Sequence, residues 1–163
     1  MVAMVAKNKG ANVVISEVNP IRIKMAQEMG FEVVNPTQTD LVEYIDKKTN
    51  GGLADVVFEV AGVQPSLDVM TEVAGIRGRI VMVAIHGQPK PVNLFKFFWK
   101  ELELIGARVY EAEDYEESIQ LISENKLPFE SIITAVEPLE NIQKLFESID
   151  ENPNGMKYLI DCQ

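Results

Sequence analysis

Short apolar runs alternate with helical stretches along almost the whole chain, and that alternation leaves few folds open. Residues 12–16, 31–34, 55–60, 78–85 and 102–109 are strand-like runs rich in Val, Ile and Leu. Between them, residues 1–9, 20–29, 40–48, 65–73, 93–100 and 114–124 carry helical patterns of about ten residues each. Helix signals punctuate the alternation. Gly10 and Gly30 stop two helices, Asn19 and Pro20 open another, and Asp40 with Glu43 three residues on is close to a capping box. After about Pro128 come an apolar segment (131–136), a helix (139–150) and a last strand (156–161).

Strands that alternate with helices pair in parallel, with helices on both faces of the sheet. Strands buried on both faces read as continuous apolar runs, as 78–85 does (GRIVMVAI). The expected fold is therefore α/β: a doubly wound, mostly parallel sheet of the Rossmann type. Ligands of such sheets bind at the carboxyl ends of the strands. That directs attention to Glu17, to Val60, Ala61 and Gly62, to Ala84, Ile85 and His86, and to Arg108 and Val109.

Composition narrows the function. A net charge of −10 repels phosphate backbones and anionic lipid, so neither a nucleic-acid nor a membrane partner is expected. No run approaches the roughly 18 apolar residues of a membrane span, and residues 1–10 lack a basic leader. The single cysteine, Cys162, allows no disulfide within the chain, and a cytoplasmic location is the default expectation. One histidine and one cysteine, far apart, make poor zinc ligands, so no metal site and no catalytic residue is assigned. His86 is expected to be a partly exposed loop histidine and Cys162 a tail residue. Phe95, Phe97, Phe98 and Trp99 are expected to pack a short helix on the sheet, and the acidic run 111–117 to be a solvated helix start.

Glu17 follows the first strand, where a carboxylate either accepts hydrogen bonds from both hydroxyls of an adenosine ribose or stands solvated. In the first case a 2′-phosphate meets its charge, so NAD is favoured over NADP. Arg22 then either lies over the adenine or pairs with Glu17. A dinucleotide site also requires strand, G-x-G-x-x-G loop and helix about 20 residues ahead of the acidic residue. The chain opens inside the helix that such a loop would start. The sheet is therefore expected to lack its first strand and its pyrophosphate cradle. The final strand, Lys157–Asp161, is a candidate to fill the vacant position.

Residues 13–30 (VVISEVNPIRIKMAQEMG), 54–62 (ADVVFEVAG) and 78–110 (GRIVMVAIHGQPKPVNLFKFFWKELELIGARVY) resemble zinc-dependent medium-chain dehydrogenases, in the branch of the butanediol, sorbitol and threonine dehydrogenases. The resemblance implies that Glu17 binds the adenosine ribose, with Arg22 beside it. It implies that Val60, Ala61 and Gly62 line the cofactor, that Ala84 and Ile85 meet its nicotinamide end, and that Arg108 and Val109 lie nearby. It also implies a homodimer through strand 102–109, and a division into a truncated dinucleotide-binding domain (1–127) and a segment (128–163) that returns to a catalytic domain. The family's zinc ligands and proton relay match nothing in this chain. The expectation is the NAD(H)-binding part of an enzyme that oxidises a secondary alcohol (diol, polyol or amino alcohol) to a ketone, not competent alone. Two other readings stay open: a non-catalytic nucleotide-binding or dimerisation module, and a methyltransferase, which also holds a ribose with an acidic residue.

Overall fold

The computed structural model describes residues 1–152 and 154–162; Pro153 and Gln163, both in the expected 128–163 segment, lie outside the described residues. The expected alternation is present. Helix α1 (Val2–Asn8) precedes β1 (Val14–Ser16), α2 (Pro20–Glu28), β2 (Glu32–Val34), α3 (Leu41–Lys48), β3 (Ala54–Glu59), α4 (Gln64–Val73), β4 (Ala74–Met82), α5 (Leu94–Lys100), β5 (Glu103–Gly106) and α6 (Ala112–Ser123). The chain closes with β6 (Ile133–Pro138), α7 (Ile142–Glu151) and β7 (Lys157–Asp161).

The expected caps form. Asn19 accepts hydrogen bonds from the backbone amides of Ile21 (2.9 Å) and Arg22 (3.3 Å), and Pro20 occupies the first helical turn. Asp40 accepts from the Glu43 amide at 2.9 Å. One turn apart on α3, Leu41 and Ile45 are both buried. Glu32 of β2 takes hydrogen bonds from Lys48, at 2.6 Å, and from the Tyr44 hydroxyl, fastening β2 to α3.

Among the described residues all strand pairing is parallel. β1 pairs with β2, and β4 lies between β3 and β5. β1 and β3 do not pair with each other. Instead α3 spans them: Leu41 and Ile45 pack with Val34 and Val73, against Val14 of β1 and Val57 of β3. In the order 3-2-1-4-5-6 of a doubly wound sheet, the break falls where the first strand belongs. The sheet is thus the expected parallel one, split at that position.

The central strand carries the driest packing. Ile80 of β4 is fully buried, beside Leu67 and Met70 of α4 and Ala74. Burying an aliphatic side chain of this size contributes about 1.5–3 kcal/mol. β4 begins four residues earlier than its apolar pattern suggests, because the backbone runs very close to the loop before β3. A Cβ on Gly75 would stand 2.4 Å from the carbonyl oxygen of Gly52. The ladder shifts register there, from Ala54 opposite Ala74 to Val56 opposite Arg79. β5 stops at Gly106, short of Val109, and every residue in it is exposed.

Two expectations change. The last strand does not fill the vacant strand position: β7 pairs in parallel with β6, from Ile133 opposite Lys157 to Pro138 opposite Asp161, with a register shift between Ile133 and Ala135. The physical reason is local closure. β6, α7 and β7 make a compact strand–helix–strand unit, whereas pairing with β1 or β3 would require a long-range insertion. The aromatic cluster also packs less than expected. Phe97 joins the core around Ile80, whereas Phe95, Phe98 and Trp99 stay exposed and the rings of Phe95 and Trp99 stack at 5.9 Å.

Candidate functional site

Four strand ends carry the candidate residues. At the end of β1 the Glu17 carboxylate is half-buried and folded back on its own turn. Its Oε1 accepts from the amides of Val18 (2.8 Å) and Asn19 (2.9 Å). Asn19 caps α2 and also donates from Nδ2 to Oδ1 of Asn154, at 3.1 Å, so the loop before β7 touches this turn. Arg22 stands in the first turn of α2, half-buried.

At the end of β3 the chain turns through Val60, Ala61 and Gly62. The first two are exposed, and Gly62 has φ +69°, a conformation that favours glycine. A Cβ on Gly62 would meet the Ala84 Cβ at 3.3 Å and the Ile85 carbonyl oxygen at 3.5 Å. The turns after β3 and β4 are therefore packed against each other. Ile85 points into solvent, 87 % exposed. Arg108 and Val109 follow β5 and are exposed; among the described residues no hydrogen bond or ion pair holds either one to these turns.

A carboxylate absent from the expected site organises the two turns. Glu59, the last residue of β3, is 3 % exposed. Its Oε1 accepts from the amides of Ala61 (3.1 Å) and Gly62 (2.9 Å) and from the Ser66 hydroxyl (2.6 Å). Its Oε2 faces His86 Nε2 at 3.5 Å. His86 is a loop histidine, as expected, but it turns inward, and among the described residues neither of its ring nitrogens has a hydrogen-bond partner. The signal for Glu59 was present in the sequence. Glu59 shares strand parity with Val57, which packs in the core, so a carboxylate there must be buried.

Comparison with known proteins bears on this edge. Residues 1–124 match the family model described as zinc-binding dehydrogenase. The chain belongs to that family.

Among relatives of the dehydrogenase family, 2-dehydro-3-deoxy-L-galactonate 5-dehydrogenase of Pseudoalteromonas atlantica is 52 % identical over 99 % of this chain and 48 % of its own length. The (R,R)-butanediol dehydrogenase of Neisseria gonorrhoeae is 33 % identical, over 99 % of this chain and 46 % of its own. The chain thus spans about half the length of the curated relatives it matches. The crystal structure of 2R,3R-butanediol dehydrogenase from Bacillus subtilis superposes with a TM-score of 0.89 at 27 % identity, covering 99 % of this chain and 47 % of that one. Two neighbours at 22 % identity share the fold. One is a zinc-binding dehydrogenase of Sinorhizobium meliloti bound to NADP (TM-score 0.82, 98 % and 48 % covered). The other is an alcohol dehydrogenase of Escherichia coli complexed with NADH (TM-score 0.83, 99 % and 48 % covered).

These neighbours agree with the fold class read from the strand–helix alternation. Among the described residues no three His, Cys, Asp or Glu side chains gather as metal ligands, and no helix is long and apolar enough to cross a membrane. The residues present fit a nucleotide better than a metal: a carboxylate at one strand end, and two interlocked backbone turns, one of them made close by glycine, at two others.

Proposed function

We propose that this chain is the NAD(H)-binding part of a zinc-dependent dehydrogenase that oxidises a secondary alcohol to a ketone. The substrate class is a diol, polyol or amino alcohol, and the zinc and its ligands belong to a part of the enzyme outside these residues. The observation that carries the reading is the interlocking of the 60–62 and 84–85 turns at adjacent strand ends, with an acidic residue at the end of β1.

Each residue has a task in this reading. Glu17 accepts hydrogen bonds from the ribose hydroxyls through the oxygen not engaged with its own turn, and its charge disfavours a 2′-phosphate. Arg22 borders the adenosine. Val60, Ala61 and Gly62 offer a flat backbone wall to the cofactor, and Ala84 and Ile85 do so at the nicotinamide end. Arg108 and Val109 complete that end. The cofactor, when bound, supplies the hydride acceptor; the chain orients it and shields one face from water. Residues 1–127 form the dinucleotide-binding unit, and 128–163 lead back toward the catalytic part. We place the protein in the cytoplasm.

The exposed β5, with Leu104 at 51 % and Ile105 at 41 % exposure, is an edge strand suited to pairing with its twin across a two-fold axis. This favours a homodimer, and it keeps open a second reading in which the chain serves as a dimerisation module. Light scattering at high concentration checks it: a monomer contradicts the pairing.

A fluorescence titration with NADH, with NADPH as control, tests the cofactor reading. The expected result is NADH binding that exceeds NADPH binding, with the preference lost in Glu17→Gln. Equal binding of both cofactors, or no difference in Glu17→Gln, contradicts the role given to Glu17.

A further inference from the structure

Glu59 is a poor choice for a residue that only packs. Its side chain is 1 % exposed, and a buried carboxylate loses its hydration, so a hydrophobic residue of similar size is often as stable or more so. The carboxylate compensates by gathering donors from one place only. Oε1 takes the Ala61 and Gly62 amides and the Ser66 hydroxyl, all in the turn after β3 or the first turn of α4. The start of α4 also favours a negative charge, because its first amides lack helical partners.

The same residue reaches the neighbouring turn by two routes. Its backbone oxygen accepts from the amides of Val83 (2.9 Å) and Ala84 (3.1 Å) just as β4 ends. Its Oε2 faces His86 Nε2 across 3.5 Å, and among the described residues that oxygen and both imidazole nitrogens are buried without another partner. Glu59 is thus bonded to, or faces, both turns that interlock at Gly62 and Ala84.

We infer that Glu59 is a positioning residue for the cofactor-facing turns, with Ser66 and His86 as its partners. It touches no cofactor. It fixes the Ala61–Gly62 peptide at the angle that lets Gly62 seat against Ala84, and it holds the His86 loop inward so that Ile85 is left on the outer surface. The inference rests on the cofactor reading for its purpose, and on hydrogen bonding alone for its mechanism.

Amide hydrogen exchange and NADH titration of the whole chain separate the two. Glu59→Gln keeps an accepting oxygen and should stay within about threefold of wild type in both measurements. Glu59→Leu removes it, and exchange at Ala61 and Gly62 should accelerate by about tenfold or more, with NADH binding weaker by a similar factor. The amides of Ile80 and Val81 serve as internal reference and should change much less. Should Glu59→Leu fail to fold, Glu59→Asp retains the charge but withdraws it by one methylene, and should release the same two amides. Unchanged exchange at Ala61 and Gly62 overturns the inference, as does acceleration no larger than at Ile80 and Val81, which would make Glu59 merely structural. A wild-type chain that fails to bind NADH overturns the cofactor reading instead, while the exchange pattern still decides whether Glu59 holds the turns.

Discussion

Lys100 offers a sharp test of how β4, the strand that carries the Ala84–Ile85 turn, is anchored. From the end of α5 its Nζ donates to the carbonyl oxygens of Thr71 (3.0 Å), Glu72 (2.8 Å) and Ala74 (2.7 Å). These carbonyls lie where α4 ends and β4 begins, and Thr71 and Ala74 are wholly buried. Lys100→Met keeps the aliphatic stem and removes all three donors. Leaving a buried acceptor unsatisfied costs about 1–3 kcal/mol, and two of the three sit in residues with no access to water. Burial lowers the pKa of the ammonium, with Glu72 partly opposing and Lys96 assisting the shift, so removing the ammonium returns part of that cost. A net destabilisation of about 2–4 kcal/mol follows. For a domain of this size that is a fall in Tm of about 4–16 °C. Urea unfolding followed by far-UV circular dichroism measures it, provided the slope with denaturant is unchanged. A Lys100→Met chain within about 0.5 kcal/mol of wild type would refute the reasoning, because that is the range of an ordinary surface change.

Gly75→Ala places a Cβ 2.4 Å from a backbone carbonyl that cannot swing aside, so a loss of about 3 kcal/mol or more is expected in the same unfolding experiment. Glu32 supplies a pH test. Hydrogen bonds from Lys48 and Tyr44 hold its carboxyl below the usual carboxylate range. A lowered pKa in the folded state contributes stability above the unfolded value of about 4.3, and that stability disappears as pH falls through the folded value. Glu32→Gln should therefore flatten the acid limb of a stability–pH curve below about pH 4.3, and an unchanged limb would remove the fastening of β2 to α3 from the account.

The sequence was most readable where local chemistry decides the outcome. Asn19, Pro20 and Asp40 mark helix starts because a cap is a contact within three residues. Strand ends were less readable. Val83 and Ala84 continue the apolar run of β4, yet their amides turn to the Glu59 carbonyl, and no pattern within the run records that. The opposite end of β4 depends on Gly75 passing the Gly52 carbonyl, a contact across 23 positions. The partner of β7 was invisible for a related reason: periodicity identifies a strand but not its neighbour, and the short crossover through α7 decided it. At the candidate site, turn positions follow from strand ends, whereas Glu59 reads in the sequence as one more residue of a strand. Its burial was implied by alternation with Val57, but its bonds to Ala61, Gly62 and Ser66 required the fold.

The central claim is that four strand ends of this chain, those of β1, β3, β4 and β5, form one cofactor surface. Backbone amide chemical-shift mapping during titration with NADH tests it most directly. The account predicts shifts concentrated at Glu17–Arg22, Val60–Gly62, Ala84–His86 and Arg108–Val109, with β6 and β7 silent. Shifts scattered over the molecule, centred on the β6–β7 unit, or absent at saturating NADH would contradict it.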